Sequence, residues 1–179
     1  MVLKSMSDLI HYFAPTKDFA LSLGVMARQA FSDTFAHLYD PVPFAQFLEK
    51  AYGAGGSMER DFANPSVRWQ VAMIDGQPIG YAKLSPLSAP APDPQPGAME
   101  LQQIYVLSPW HGRGVAERLI HWAIETARAE CAPEIYLTVF DHNTRAKRFY
   151  SRHGFSEVGH CTFKLGDRID NDRVWRKTL

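Results

Sequence analysis

The most constraining feature of the sequence is a glycine-containing turn between an apolar strand and an amphipathic helix. Residues 99–107 have the pattern of a strand, residues 109–112 that of a turn and residues 114–130 that of a helix. The first amides of a helix lack intrahelical partners and carry partial positive charge. Because Gly112 and Gly114 have no side chains to obstruct these amides, the pattern favours a phosphate site. A tight turn without a ligand explains the same glycines.

Two other kinds of phosphate site do not fit this segment. The sequence contains no GxxxxGK[ST] motif for a nucleoside triphosphate. It also contains no GxGxxG followed by an acidic residue that would bind a ribose. The P-loop and the dinucleotide-binding fold therefore lose their main support.

The length of 179 residues predicts one domain, residues 1–179, and the remaining periodicity predicts the α/β (α+β) class with a single mixed sheet. A tract with five prolines, residues 86–97, cannot enter a sheet interior and predicts an exposed loop. The other predicted elements are helices at 18–37 and 44–51, with Asp18 as the cap of the first, a β-hairpin at 68–74 and 79–84, a strand at 135–140, a helix at 143–153 and closing strands at 155–158 and 173–177.

Composition excludes several classes of function. The 19 basic residues equal the 19 acidic residues, so no net field attracts nucleic acid or an acidic membrane. The two cysteines, Cys131 and Cys161, are far apart and complete no metal-ligand spacing, so we expect neither a metal site nor a disulfide. Without a membrane-spanning stretch or a signal-peptide pattern, we expect a cytoplasmic location and no membrane partner.

Three separated elements together resemble the GNAT acyltransferase superfamily. The string 111–116, HGRGVA, is similar to the acetyl-CoA signature Gln/Arg-x-x-Gly-x-Gly/Ala, with His111 at the Gln/Arg position. The preceding Ile-Tyr-Val-Leu-x-Pro and the later Asn-x-x-Ala-x-x-Phe-Tyr-x-x-x-Gly-Phe of residues 143–155 match in type and order. Within that superfamily, residues 159–166 and 31–39 resemble bacterial PaiA-like polyamine acetyltransferases. The resemblance implies a mixed, mostly antiparallel sheet flanked by helices, with two central strands that splay apart.

The resemblance also implies roles for particular residues. Acetyl-CoA is the expected cosubstrate, and Tyr150 is the expected acid that protonates the departing thiolate. Asn143 is expected at the cofactor arm, although an asparagine there is also an ordinary helix cap. Tyr150 has a core-packing alternative. The expected cofactor-binding residues are Ile104, Tyr105, Val106, His111, Gly112, Arg113, Gly114, Val115, Ala116, Asn143 and Tyr150.

Acyl transfer to an amine requires a base, because an alkylamine with a pKa near ~10.4 is protonated at pH 7. Glu100 is the candidate base, since strand alternation places it with Gln102 and Ile104; a solvated strand-end acid is the alternative. Phe35 and Tyr39 are candidate substrate-binding residues in an aromatic wall, with burial in the core as the alternative for Phe35. Asp33, Asp40 and Asp172 could receive a second cation, or be solvated surface acids.

The sequence therefore predicts an N-acyltransferase that moves acetyl from acetyl-CoA to a primary amine by direct attack. The acceptor is a polyamine, another small metabolite or a peptide N-terminus. The alternative is a CoA-sensing or regulatory module with little turnover. A homodimer is compatible with either function, but no sequence feature specifies an interface.

Overall fold

The computed structural model describes residues 9–179, which form seven strands and five α-helices. Short 3-10 turns precede and follow the first helix and precede the fourth. In chain order the elements are β1 His11–Phe13, α1 Ala20–Phe35, α2 Pro41–Tyr52, α3 Ser57–Phe62, β2 Arg68–Ile74, β3 Gln77–Pro86, β4 Met99–Val106, α4 Val115–Ala129, β5 Glu134–Phe140, α5 Thr144–Arg152, β6 Ser156–Leu165 and β7 Arg168–Thr178.

All seven strands belong to one mixed sheet, in the order β1-β2-β3-β4-β5-β7-β6. Every neighbouring pair is antiparallel except β4 and β5, which are parallel. These two strands pair only at Met99–Ile135 and Glu100–Tyr136. From residue 101 onward β4 diverges from β5, which confirms the expected splay and opens a gap in the centre of the sheet.

A β-bulge in β4 changes which side chains share a face of the sheet. Leu84 of β3 pairs with Leu101, whereas Lys83 pairs with Gln103, so Gln102 is an extra residue in β4. Leu101 and Ile104 consequently contact the same core cluster. The sequence-based argument that Glu100 shares a face with Ile104 is wrong, because simple alternation does not hold across a bulge.

The two faces of the sheet are covered by different helices. On one side, here named the α4 face, α4 and α5 pack with Leu101, Ile135 and Leu137. On the other side, the α1 face, α1 to α3 pack over β2, β3 and β4, with Val71 and Tyr81 fully buried beneath them. The divergence of β4 and β5 therefore connects two helical layers through the middle of the sheet.

The proline-rich loop, residues 87–98, covers the remaining part of the α1 face. Glu100 is buried, and its carboxylate accepts hydrogen bonds from the Ser88 amide, the Ser88 hydroxyl and the Ala89 amide at 2.8–2.9 Å. Buried Glu134 accepts a hydrogen bond from the Gln95 amide at 3.2 Å. The predicted loop is confirmed, but two carboxylates fasten it to the sheet.

The sequence pattern predicted most elements and missed a few. The hairpin β2–β3, the strand β4 and the helices α4 and α5 occur where expected. Strand β1 and helix α3 were not expected, β6 and β7 are longer than predicted, and Asp18 lies in a 3-10 turn without capping α1. Within residues 9–179, no helix is long and apolar enough to span a membrane.

Candidate active site

A cavity of about 310 Å³ occupies the gap between the diverging strands. Its walls come from α1 and α2 on one side and from α5 on the other, with β4, β5, β6 and β7 between them. Eight of the residues expected at the site line this cavity: Phe35, Tyr39, Ile104, Tyr105, Val106, His111, Asn143 and Tyr150.

The turn before α4 has the backbone that its glycines predict. Gly112 and Gly114 have φ values of +72° and +79°, in the left-handed region that favours glycine. A Cβ atom added at either position would meet no atom within 4 Å, so open space lies beside this turn. Gly114 is the N-cap of α4, and no side chain caps the helix. The amides that begin α4 are therefore accessible to an anion from outside the protein.

Gly80 of β3 allows α4 to begin close to the sheet. A Cβ at Gly80 would lie 3.0 Å from the Tyr105 carbonyl oxygen and 3.3 Å from Val115 Cγ1. Val115 is 1 % exposed, so the first helical turn is anchored in the core. The start of α4 is thus fixed relative to the end of β4.

The edge of β4 that faces the gap presents unpaired backbone. Ile104, Tyr105 and Val106 pair with Ala82, Tyr81 and Gly80 of β3 on their other edge. Since the registered pairs with β5 end at Glu100, this edge of β4 has no strand partner and is open to an extended ligand. The gap therefore fits a slender polar chain that pairs with β4 as an additional strand would.

His111 connects this edge to α5. His111 Nε2 lies 2.8 Å from the Val106 carbonyl oxygen, and His111 Nδ1 lies 2.8 Å from Arg145 Nη1. Arginine can only donate, so Nδ1 is the acceptor and Nε2–H donates to Val106. Arg145 is an exposed cation at the mouth of the cavity, and the sequence reasoning did not select it.

Arg113 is directed back along its own turn. Its Nε donates to the Pro109 carbonyl at 3.0 Å, and its guanidinium lies 5.5 Å from the centre of the Trp110 ring. Gly112 to Ala116 do not line the cavity, and residues 112–114 form an exposed turn next to it. An elongated ligand would reach this turn only at its outer end.

Tyr150 and Asn143 occupy opposite ends of α5. Asn143 caps the helix, since its Oδ1 accepts a hydrogen bond from the Ala146 amide at 3.1 Å. Tyr150 packs in the core against Phe155, yet it also lines the cavity. Its hydroxyl has no hydrogen-bond partner among residues 9–179. Burial raises the pKa of Tyr150 above the ordinary value of 10.0, so the hydroxyl stays protonated near neutral pH.

Aromatic residues form the α1 wall of the cavity. Phe31 and Phe35 have ring centroids 4.8 Å apart, and the Phe35 ring meets Phe140 of β5 edge-on at 6.2 Å. Phe31 is also core, as only 7 % of its surface is exposed. The Tyr39 hydroxyl donates to Asp170 Oδ2 at 2.6 Å, and this contact fixes the ring at the cavity wall.

Glu100 is not brought to the cavity. Its carboxylate lies under the proline-rich loop and does not line the cavity. Asp172 of β7 does line it and is, after Arg145, a second charged cavity residue outside the expected catalytic and binding set. The sequence alone does not distinguish Asp172 from Asp33 and Asp40, because each of the three could also be a solvated surface acid.

The geometry fits an extended ligand with an anionic end. The ligand's phosphates would bind the amides at the start of α4, its middle would pair with β4, and its reactive end would enter the cavity near Tyr150. Coenzyme A has this order of groups, with a pyrophosphate, an amide-containing arm and a terminal thiol. The described residues include no group of three or more His, Cys, Asp or Glu side chains that could hold a metal ion.

A mixed sheet with central strands splayed beside a glycine turn is the arrangement that the resemblance to the GNAT superfamily implies. Residues 27–155 match the model of the Acetyltransferase (GNAT) family, and this is well over half of the chain. The chain belongs to that family and is an acetyl-CoA-dependent N-acetyltransferase.

Particular relatives support the same assignment. The chain is 30% identical over 154 residues to an uncharacterized N-acetyltransferase of Lactobacillus delbrueckii subsp. lactis, covering 86% of this chain and 88% of that protein. The fold is similar to PaiA N-acetyltransferase from Thermoplasma acidophilum in complex with coenzyme A, with a TM-score of 0.74, 18% identity and coverage of 95% and 99%. It is also similar to ribosomal-protein-alanine N-acetyltransferase from Brucella melitensis, with a TM-score of 0.66, 22% identity and coverage of 94% and 99%.

Proposed function

We propose that the protein acetylates a primary amine by direct attack of the amine on the thioester of acetyl-CoA. The observation that carries this proposal is the cavity at the splay, with an accessible helix start at one end and Tyr150 inside it. A polyamine, another small amine and a peptide N-terminus are the candidate acceptors. The two structural relatives are named for PaiA and for a ribosomal-protein alanine, so their names do not select among these acceptors.

The cofactor would lie across the gap from the turn of α4 to the cavity. The amides of Gly112 to Ala116 would bind the pyrophosphate, and the backbone of Ile104, Tyr105 and Val106 would pair with the pantetheine arm. Asn143 caps α5 beside this path. The Tyr150 hydroxyl, which is protonated at neutral pH, would donate its proton to the departing thiolate.

Thiol release in the presence of candidate amines tests this function. We expect acetyl-CoA to bind in calorimetry and free thiol to appear only when an amine is present. A CoA-sensing module would bind acetyl-CoA without releasing thiol for any amine, and that result would replace our proposal with the alternative.

We expect Arg145→Met to weaken CoA binding about tenfold, because a charge-assisted hydrogen bond to phosphate is lost. Arg145 reaches His111 at the mouth of the cavity, which places its charge near the expected phosphates. The measurement is the dissociation constant for CoA. Arg128→Met on the far end of α4, where Arg128 pairs with Glu125, is the matched control and should bind CoA normally. Equal affinities in both variants would remove Arg145 from the cofactor site.

We expect Glu100→Gln to reduce stability by about 1–3 kcal/mol while turnover changes less than about threefold. The reason is that a buried carboxylate with three donors loses charge-assisted hydrogen bonds. Glu134→Gln, which removes the second anchor of the same loop, is the comparison. Thermal unfolding and kcat are measured for both. A loss of about 100-fold in kcat for Glu100→Gln alone would restore Glu100 as the catalytic base.

A further inference from the structure

Asp172 places a carboxylate in the cavity, and the proton transfer proposed for Tyr150 does not involve it. It lies on β7, paired in register with Phe140 of β5 and Cys161 of β6. Strand alternation places it on the same face as Val174, which packs under the proline-rich loop on the α1 face. Tyr150 belongs to the α4 face, so the two residues approach the gap from opposite sides.

The surroundings of Asp172 differ from those of its neighbour Asp170. Asp170 is buried and partnered, as it accepts hydrogen bonds from the Tyr39 hydroxyl at 2.6 Å and from Arg168 Nε at 2.7 Å. Asp172, half-buried beside it, makes no hydrogen bond or ion pair with any residue from 9 to 179. Burial first, and then the charge of Asp170, raise the pKa of Asp172 from 3.8 to about 6.

Few other charges face Asp172. Asp170 shares its strand, and Cys161 and Tyr105 lie near enough for Asp172 to raise their pKa values. Tyr39 stands on the α1 side and Glu100 lies under the proline-rich loop. On the helical walls are Tyr52 of α2 and Tyr150 of α5.

The two basic side chains of the cavity, His111 and Arg145, are hydrogen-bonded to each other at its mouth. Asp172 is thus a carboxylate without a cation among residues 9–179.

We propose that Asp172 receives the ammonium group of the acceptor and takes one of its protons. This inference rests on the proposed function, since it assigns the acceptor site of the same cavity. The aromatic wall of Phe35 and Phe140 would exclude water around the amine and contact its aliphatic chain. An ammonium ion in this position supplies the positive charge that the described residues do not.

The step balances in atoms and charge. The ammonium nitrogen gives one proton to the Asp172 carboxylate. Its freed electron pair forms a C–N bond with the thioester carbonyl carbon as the C=O π pair moves to the oxygen. The carbonyl then re-forms and the C–S bond breaks, the sulfur takes a proton from the Tyr150 hydroxyl, and the nitrogen's second proton returns to Tyr150. Asp172 finally releases its proton to solvent, so the products are an amide, a free thiol and one proton.

The charges also predict which amines are accepted. An α-amino acid would bring its own carboxylate next to Asp172, and like charges repel at this distance. An alkylamine of the same shape has no such charge. We therefore expect butylamine to be a better acceptor than norvaline, which is the same chain with an added carboxylate.

The test is Asp172→Asn, assayed with butylamine from pH 5 to pH 8. Below about pH 6 the wild-type carboxyl is protonated and cannot accept a proton, so kcat/KM should rise with pH through a midpoint near 6. The acceptor stays an ammonium ion over this whole range and adds no midpoint. We expect the variant to lose this rise and about 100-fold in kcat/KM, with unchanged CoA affinity. Histidines titrate in the same pH range, so a midpoint near 6 does not by itself identify Asp172 as the titrating group. The loss of the pH-dependent rise in Asp172→Asn makes that identification.

Three further measurements keep the outcomes separate. Asp167→Asn removes the same charge from the exposed β6–β7 turn and should keep the wild-type profile. Asp172→Asn should unfold at no lower temperature than the wild type, because an unpaired carboxylate is no longer desolvated. Asp172→Glu should retain the pH-dependent rise. If the wild type is active and Asp172→Asn has an unchanged rate and pH profile, this inference alone is overturned. If the wild-type protein binds CoA and acetylates no amine, the proposed function and this inference are overturned together.

Discussion

Gly114→Glu is expected to weaken CoA binding by at least about 100-fold, or about 2.7 kcal/mol. The new carboxylate would project into the open space beside the start of α4, where a Cβ atom at residue 114 would have no neighbour within 4 Å. A pyrophosphate bound to the helical amides would meet both its bulk and its negative charge. Calorimetry with CoA measures the loss directly.

Backbone strain alone must be separated from this effect. Gly114 has a φ of +79°, so any larger residue there is strained by about 1–2 kcal/mol. Gly76→Glu, in the β2–β3 turn with a φ of +76° and equally open surroundings, is a matched control with the same strain and charge. Both variants should lose similar stability, but only Gly114→Glu should lose CoA binding. Equal CoA affinity in the two variants would mean that the phosphates bind elsewhere.

Sequence patterns predicted the elements that depend only on residues close together in the chain. The hairpin β2–β3 follows from two apolar runs around the Asp75-Gly76 turn, and α4 follows from a sustained helical period. The glycine turn was equally predictable, since glycine adopts the positive φ values of residues 112 and 114 without steric strain. The splay of β4 from β5, in contrast, came from the resemblance to a family and not from residue pattern.

Features that depend on distant partners were not predictable. The bulge at Gln102 is fixed by the register with β3, so strand alternation assigned Glu100 the wrong face relative to Ile104. Glu100 then finds its donors in the proline-rich loop, which the composition had suggested was merely exposed. In the same way, Asp172 becomes distinct from other acids only when β7 pairs with β5 and delivers it to the cavity.

Aromatic residues were harder to assign, because a core position and a cavity wall require the same side chains. Phe31 and Phe35 follow one another on α1 with a helical spacing that predicts burial. The structure gives Phe31 both roles, since it is buried and also lines the cavity. Helical spacing therefore identifies the apolar face of α1, but it does not show whether a residue on that face meets the core or borders a cavity.

Tyr150→Phe is expected to lower kcat about 100-fold while the affinity for CoA changes less than about twofold. The ring would still fill its place in the core beside Phe155, so packing is retained. Only the hydroxyl is lost, and it has no partner in residues 9–179 whose loss could destabilise the fold. Burial raises the pKa of Tyr150, so the wild-type hydroxyl carries its proton throughout the neutral range until the thiolate departs. Single-turnover measurement of thiol release separates this chemical step from product release.

A matched tyrosine outside the cavity shows whether the effect is specific. Tyr12 packs against the same core cluster, next to Arg118 and away from the cavity, so Tyr12→Phe should keep wild-type kcat. The identity of the leaving group gives a stronger test. A thioester whose thiol is more acidic needs less help to depart, so the loss in Tyr150→Phe should shrink as the pKa of the leaving thiol falls. A loss that stays constant across such thioesters would mean that Tyr150 orders the site without donating the proton.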